Sequence, residues 1–173
     1  GTFSAGATVN KYGQGSLTLT GTSQAPITVV AGSVLAGNTE APVTTGTITV
    51  REGGLLAGQG MVQDVVVNSG GTIGAQRSAT NNTFLRTLTI NGTLKVNKGN
   101  LRIRYRSTAT KTSYDTFQQQ GTTTLTSPTF LFSSTDGSSI LPGTEFQVFE
   151  GQGKITVSGA VKVLPEQPLP GHE

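Results

Sequence analysis

The amino-acid sequence predicts an all-β fold, namely a right-handed, single-stranded parallel β-helix whose coils contain roughly 17–21 residues. Three observations predict it. The 173-residue chain contains 29 Thr and 24 Gly, a composition that favours strands and turns over helices. Its best amphipathic patterns have period two, and a short unit recurs along the chain.

Composition also excludes several classes of site. The absence of Cys rules out disulfide bridges and the common Cys-based zinc and redox sites, so we expect no metal and no cofactor. No apolar run approaches the roughly 20 residues that a membrane-spanning helix needs. The net charge of +3 is too small to indicate a nucleic-acid partner, which usually needs a clustered basic face.

The repeat is clearest in three segments. Residues 27–37 and 48–58 align at an offset of 21, and residues 65–75 follow at an offset of 17. Each segment has an apolar-x-Val strand, two linker residues, a Gly pair or Gly-Ser, and a second short strand. Units this short cannot bury their own apolar face, but stacked units can, as successive coils of a solenoid. The Gly pair is then predicted to form the corner between two strands.

Less similar two-strand units continue the pattern to residue 163, and Phe becomes common after residue 129. Alternation within these units predicts which side chains point inward. The predicted interior consists of Leu17, Leu19, Ile27, Val29, Ile48, Val50, Val65, Val67, Leu88, Ile90, Leu94, Val96, Leu101, Ile103, Phe130, Phe132, Phe146, Val148, Ile155 and Val157.

Polar stretches interrupt the units and delimit the domain. Residues 76–83 and 106–120 are interpreted as loops, the second of which leaves the coil. Residues 1–163 are predicted to form the β-helix, and the Pro-rich residues 164–173 a linker or tail. We expect the natural protein to continue beyond this tail, because its composition is that of an extended linker that leads to a further segment.

One family pattern fits these units. Residues 10–21, with Lys11, Gly13, Gly15, Leu17 and Leu19, resemble the K-x-G-x-G-x-L-x-L-x-G opening of the autotransporter-associated β-strand repeat, although residues 22–26 replace the usual linker. Later segments resemble further coils of bacterial autotransporter passenger domains, in the same order, over residues 9–160. They are residues 88–96, 114–125 and 139–155.

This resemblance implies secretion to the bacterial cell surface, tethering to the envelope through segments outside the chain, and a role as adhesin or structural stalk. The β-helix itself would not be inserted in a membrane. No catalytic or binding residue is carried over, because the matching positions are structural glycines and core aliphatic residues. Host or bacterial surface glycans or proteins are the partners that such a role implies.

Candidate catalytic residues are sparse. The nine carboxylates are scattered and form no ladder at matching positions of successive coils, which a β-helical polysaccharide lyase or hydrolase would need. The only histidine, His172, falls in the Pro-rich tail. We therefore predict no catalytic residue and no enzymatic activity. A carbohydrate-binding or polysaccharide-degrading β-helix, and a β-sandwich or barrel, are the alternatives.

The one distinctive charged pattern lies in residues 101–106. Strand alternation places Arg102, Arg104 and Arg106 on one face, and Lys95 is expected on an adjacent coil. These four residues could form a basic stripe that binds an anionic glycan. The competing interpretation is a solvated outer face whose charges discourage edge pairing.

Overall fold

The computed structural model describes residue 4, residues 6–75 and residues 85–165. Within these residues the chain consists of nineteen strands, β1 to β19 in chain order, with no helix. The strands form three sheets that are the walls of a parallel β-helix. The predicted loop at 76–83 and His172 lie outside the described residues.

The first sheet contains one short strand from every coil. Neighbouring strands pair in parallel throughout, and buried residues alternate with partly exposed ones along each central strand. In order across the sheet, the strands are β1 (Val9–Lys11), β3 (Ile27–Val29), β5 (Ile48–Val50), β8 (Val65–Val67), β11 (Leu94–Asn97), β15 (Thr123–Thr126) and β18 (Ile155–Ser158).

The second sheet follows the first along each coil, and the third sheet completes the wall in the later coils. The second contains β2 (Ser16–Leu19), β4 (Gly32–Ala36), β6 (Gly54–Gly58), β9 (Thr72–Gly74), β12 (Asn100–Ser107), β16 (Thr129–Ser134) and β19 (Lys162–Pro165). The third contains β7 (Met61–Val62), β10 (Thr87–Ile90), β14 (Thr116–Gln119) and β17 (Phe149–Gly151).

The pairing pattern decides between the fold classes. Every ladder between described strands is parallel except one, in which β13 (Thr112–Tyr114) pairs antiparallel with β12. A sandwich or an up-and-down barrel would require antiparallel ladders throughout. The predicted parallel β-helix is therefore confirmed, and the sandwich and barrel alternatives are excluded.

The strand register confirms the first coil lengths and corrects the later ones. Ile27 pairs with Ile48, and Ile48 pairs with Val65, which are the offsets that the repeat predicts. Further along the first sheet Val65 pairs with Leu94, Leu94 with Thr123, and Thr123 with Ile155. These coils are markedly longer, so the predicted coil length is wrong for the second half of the chain. The connection between the second and third sheets is what lengthens these coils, because the 17-residue coil already contains a third-sheet strand, β7.

The two residues of a Gly pair have different roles at the corner between the first and second sheets. Gly53 has φ of 76°, a left-handed conformation that costs L-residues about 1–2 kcal/mol. A Cβ on Gly54 would run into the carbonyl of Val29 in the preceding coil. Lys98 takes the conformation of Gly53 in a later coil, with φ of 54°. The predicted corner role is thus confirmed.

The Lys of the family-like opening motif has a structural role. The Lys11 ammonium donates hydrogen bonds to the backbone carbonyls of Tyr12, Gly13 and Ala31, at 2.8, 2.7 and 3.1 Å. Tyr12 and Gly13 lie in the same coil as Lys11, and Ala31 lies in the next one. The Lys11 ammonium therefore links the corner of the first coil to the corner of the second coil.

The interior is one continuous apolar cluster from Leu19 to Val148. Most predicted inward positions are fully buried, while Leu17, Phe130, Phe132 and Phe146 are partly buried. The prediction is wrong for Ile155 and Val157, which remain 42% and 51% exposed. Both lie on inward positions of β18, but no described coil follows to cover them. The last strand, β19, extends two residues past the predicted domain boundary at 163.

We expect Gly121→Ala to destabilise the protein by about 1–3 kcal/mol, because its methyl group would overlap the carbonyl oxygen of Gly92 in the preceding coil. Gly21→Ala is the matched control, since no atom lies within 4 Å of the added Cβ. It should stay within about 0.5 kcal/mol of the parent. Denaturant unfolding measures both, and equal midpoints for the two variants would contradict the close-approach explanation.

Candidate interaction surface

Long connections accumulate at one corner of the solenoid. Between the second and third sheets, β6 and β7 are joined by two residues, whereas the last two described coils use residues 108–115 and 135–148. Insertions in a solenoid that collect on one side often form its binding face. The candidate functional surface is therefore built at this corner from residues 106–115 and 134–148, which we name the crest.

The first part of the crest is a hairpin that leaves the wall of the solenoid. β12 runs past the end of its neighbour β9 and pairs antiparallel with β13 through Tyr105 and Tyr114. Thr108 N donates to Lys111 O at 2.8 Å and closes the tip. The predicted departure of the chain at 106–120 is correct for the hairpin, but residues 116–119 already belong to β14 of the next wall.

The second part of the crest packs along this hairpin. Ser107 N donates to Ser138 Oγ at 2.8 Å, and Gln147 N donates to Tyr114 Oη at 3.0 Å. The Phe146 ring lies 4.8 Å from the ring of Tyr114 and 4.7 Å from that of Phe132, as measured between centroids. The connections of two consecutive coils therefore form one continuous surface, held together by hydrogen bonds and ring contacts.

A buried ion pair fixes the base of the hairpin. Arg104 Nε donates to Asp115 Oδ2 at 2.7 Å and Arg104 Nη2 to Asp115 Oδ1 at 3.0 Å, with side chains 9% and 1% exposed. The carboxylate also accepts the backbone N–H of Arg104 at 3.2 Å and that of Arg86 at 2.7 Å. Asp115 thus ties the hairpin to the preceding coil, and its charge is fully compensated.

A second, exposed ion pair joins the two parts of the crest. Arg106 Nε lies 3.3 Å from Asp136 Oδ2. Hydrogen bonds from the Ser138 hydroxyl and backbone N–H, then from the Ser134 hydroxyl, and finally the charge of Arg106 hold the pKa of Asp136 below its ordinary value of 3.8. Such a lowered pKa means that the ionised carboxylate stabilises this loop.

The structure separates the four residues of the predicted basic stripe from one another. Arg102, Arg104 and Arg106 do alternate along β12, but Arg104 is buried against Asp115 and Arg106 pairs with Asp136. Lys95 is exposed on β11 of the first sheet, whereas the arginines lie on the second. The four residues therefore do not form one surface. Strand alternation could not reveal the pairing of Arg104 with Asp115, because the hairpin that covers Arg104 is a tertiary feature.

The aspartates serve the fold. Asp64 accepts the backbone N–H and hydroxyl of Thr93 at 2.7 and 2.9 Å, which links two coils. Asp115 accepts the backbone N–H of Arg86, and Asp136 accepts that of Ser138. Among residues 4, 6–75 and 85–165, no three His, Cys, Asp or Glu side chains are grouped as a metal site would need.

A shallow polar depression beside the crest is lined by Thr39, Gln59, Leu85, Arg86, Thr87 and Tyr114.

Comparison with known proteins returned no matching family model, curated protein or solved structure. In the part of the chain that the structure describes, no helix is long and apolar enough to cross a membrane.

We expect Arg104→Met to cost about 3–5 kcal/mol of stability, because it leaves the Asp115 carboxylate buried without its partner. Arg106→Met is the matched control at an exposed pair and should cost less than about 1 kcal/mol. Unfolding free energies from denaturant titration give both values. Similar costs for the two variants would contradict the explanation, because burial of the Arg104–Asp115 pair would then not increase the loss of unfolding free energy.

Acidification should loosen the crest at Asp136. Since the folded-state pKa is lowered, the stabilisation is complete above the ordinary carboxyl pKa of 3.8 and is lost as the pH falls below it. Amide hydrogen exchange of residues 134–138, after correction for intrinsic rates, should therefore show constant protection from pH 7 to 5 and a loss below about 4. Asp136→Asn should remove this step, and a parent profile identical to that of the variant would contradict it.

Proposed function

We propose that this chain is a non-catalytic β-helix module of a secreted bacterial cell-surface protein. In this proposal it acts as an adhesin, with its coils as the structural stalk and the crest as the contact surface. The observation that carries the proposal is the stacking of long connections from consecutive coils at one corner. A stalk alone would not need them, since β6 and β7 make the same turn with a connection of only two residues.

The geometry of the crest suits a contact surface. Hydrogen bonds and ring contacts between its two parts are already made in the free protein, so less conformational entropy is lost when a partner binds. The tip is exposed at Thr108, Ala109, Thr110 and Lys111. Hydroxyl, amide and charged groups of this kind favour a hydrated partner surface, such as a glycan or a polar protein face.

The scaffold suits the role of a stalk. Seven strands of the first sheet, about 4.8 Å apart, give a stack roughly 30 Å tall. Secretion and surface location rest on the resemblance of residues 9–160 to autotransporter passenger coils. The lack of Cys agrees with export in an unfolded state.

Adhesion can be tested with a matched pair of variants. Thr110→Glu with Lys111→Glu changes the tip of the crest, and Thr156→Glu with Lys95→Glu makes the same changes on the outer face of the first sheet. We expect beads coated with the parent to attach to epithelial cells or to a glycan array. Attachment should fall at least about tenfold for the crest variant, because hot spots are local, and remain near the parent level for the control.

Three outcomes would contradict this proposal. One is attachment no greater than that of albumin-coated beads on both probes. Another is equal loss in both variants, provided that circular dichroism shows unchanged folding. The third is turnover, measured as release of reducing ends or unsaturated products from a panel of polysaccharides, which would indicate the carbohydrate-degrading alternative.

A further inference from the structure

Amide side chains recur on the outer face of the third sheet and at its corner with the first sheet. Gln118 lies on an outward position of β14, and Gln120 follows directly after that strand. Asn91 and Gln152 occupy the same corner position as Gln120 in the coils before and after it. Gln63 occupies this position one coil before Asn91. We name these five residues the amide face.

The fold makes little use of these amides. Within the part of the chain that the structure describes, only the Asn91 side chain forms a hydrogen bond, which it donates to Met61 Sδ at 2.9 Å. Other polar side chains of the third sheet do bond from coil to coil, as the hydroxyls of Thr87 and Thr116 do at 2.9 Å. The donors and acceptors of the four glutamines are therefore available to a ligand.

The amide face is open to solvent in the two coils that carry the crest. Gln120 and Gln152 are exposed, and Gln118 is half-buried. Each crest connection runs directly into the third-sheet strand of its own coil, from residue 115 into β14 and from residue 148 into β17. A long ligand that binds the amide face can therefore also contact the crest.

The chemistry of the amide face favours one class of ligand. A primary amide both donates and accepts hydrogen bonds, and so does the hydroxyl group of a sugar. Among the described outward positions of β7, β10, β14 and β17 there is no Lys or Arg, and Glu150 carries the single charge. An anionic glycan would meet no cation on these strands and would be repelled by Glu150, so a neutral glycan fits better.

We propose that the amide face binds an extended chain of a neutral polysaccharide, which lies along the solenoid axis. Strands of the third sheet are about 4.8 Å apart, so the four corner amides form a column about 14 Å long. A polymer of identical sugars presents the same hydroxyl groups to successive amides, and its weak contacts add up within one molecule. This inference rests on the adhesion proposed above and names its ligand, a glycan that continues from the amide face onto the crest.

A second protein sheet is a poorer partner for the amide face. Ladders of Asn and Gln do occur where sheets of identical chains stack in dry contacts. Such a contact would bury the exposed carboxylate of Glu150 among amides, without a cation, which is costly. A hydrated glycan leaves this carboxylate in water.

Isothermal titration calorimetry with cello-oligosaccharides, from the disaccharide to the hexasaccharide, tests the ligand class. The affinity should rise with chain length until the ligand spans the column of amides. Oligogalacturonates of equal length carry a carboxylate on every sugar and should bind at least about tenfold more weakly. The proposal is overturned by an affinity independent of length, by equal or tighter binding of oligogalacturonates, or by no binding of cellohexaose at millimolar concentration.

A matched pair of variants tests the location of the site. Gln118→Ala with Gln120→Ala should weaken cellohexaose binding at least about tenfold, because hydrogen bonds to the ligand are lost. Asn68→Ala with Asn97→Ala is the control, since these amides lie at corresponding positions of two successive coils, at the ends of β8 and β11. The control should bind like the parent. Equal affinities of the two variants, with circular dichroism unchanged, would overturn the assignment to the third sheet.

The bead assay separates this inference from the adhesion on which it rests. Loss of attachment in the crest variant but not in the Gln118→Ala, Gln120→Ala variant would overturn the amide site and leave adhesion by the crest intact. Binding of cellohexaose at the amide face without attachment of parent beads would overturn adhesion and leave the glycan site. Self-association that the Gln118→Ala, Gln120→Ala variant abolishes, without oligosaccharide binding, would overturn the glycan in favour of a second sheet.

Discussion

Every coil of this protein is constrained by the hydrogen bonds that its strands make to the coil before it. Parallel strands lie about 4.8 Å apart, so the chain must follow the path of its neighbour closely, including at the corners. Gly92, Gly121 and Gly153 show the consequence on three successive coils. A Cβ on Gly121 or Gly153 would enter the carbonyl oxygen of the glycine one coil earlier. Close backbone contact therefore selects these glycines.

The features that recur in every coil because of this constraint could be predicted from the sequence. The apolar-x-Val units, the unequal offsets between the first three of them, and the Gly corners all come from positions that stack on themselves, so similarity between segments reveals them. Inward positions followed from alternation for the same reason. The exposure of Ile155 and Val157 was not predictable from alternation, because burial also requires a following coil.

The features that occur in only some coils could largely not be predicted from the sequence. The third sheet is built from strands such as β7 and β17 of two and three residues, too short to give a periodic signal. The ion pair of Arg104 and Asp115 spans a hairpin, and only the folded crest brings the two side chains together. The candidate surface could be anticipated as a polar interruption at 106–120, whereas its second half, residues 134–148, resembled another ordinary coil.

The corner between the second and third sheets has a practical consequence. It accepts connections as short as residues 59–60 and as long as residues 135–148, between strands that keep the same parallel register on both sides. Lengthening a loop adds little closure entropy, about 0.6 kcal/mol for each doubling. The shortest connection is therefore a natural place to graft a foreign peptide. The scaffold could present such an epitope beside the native loops without rebuilding its walls.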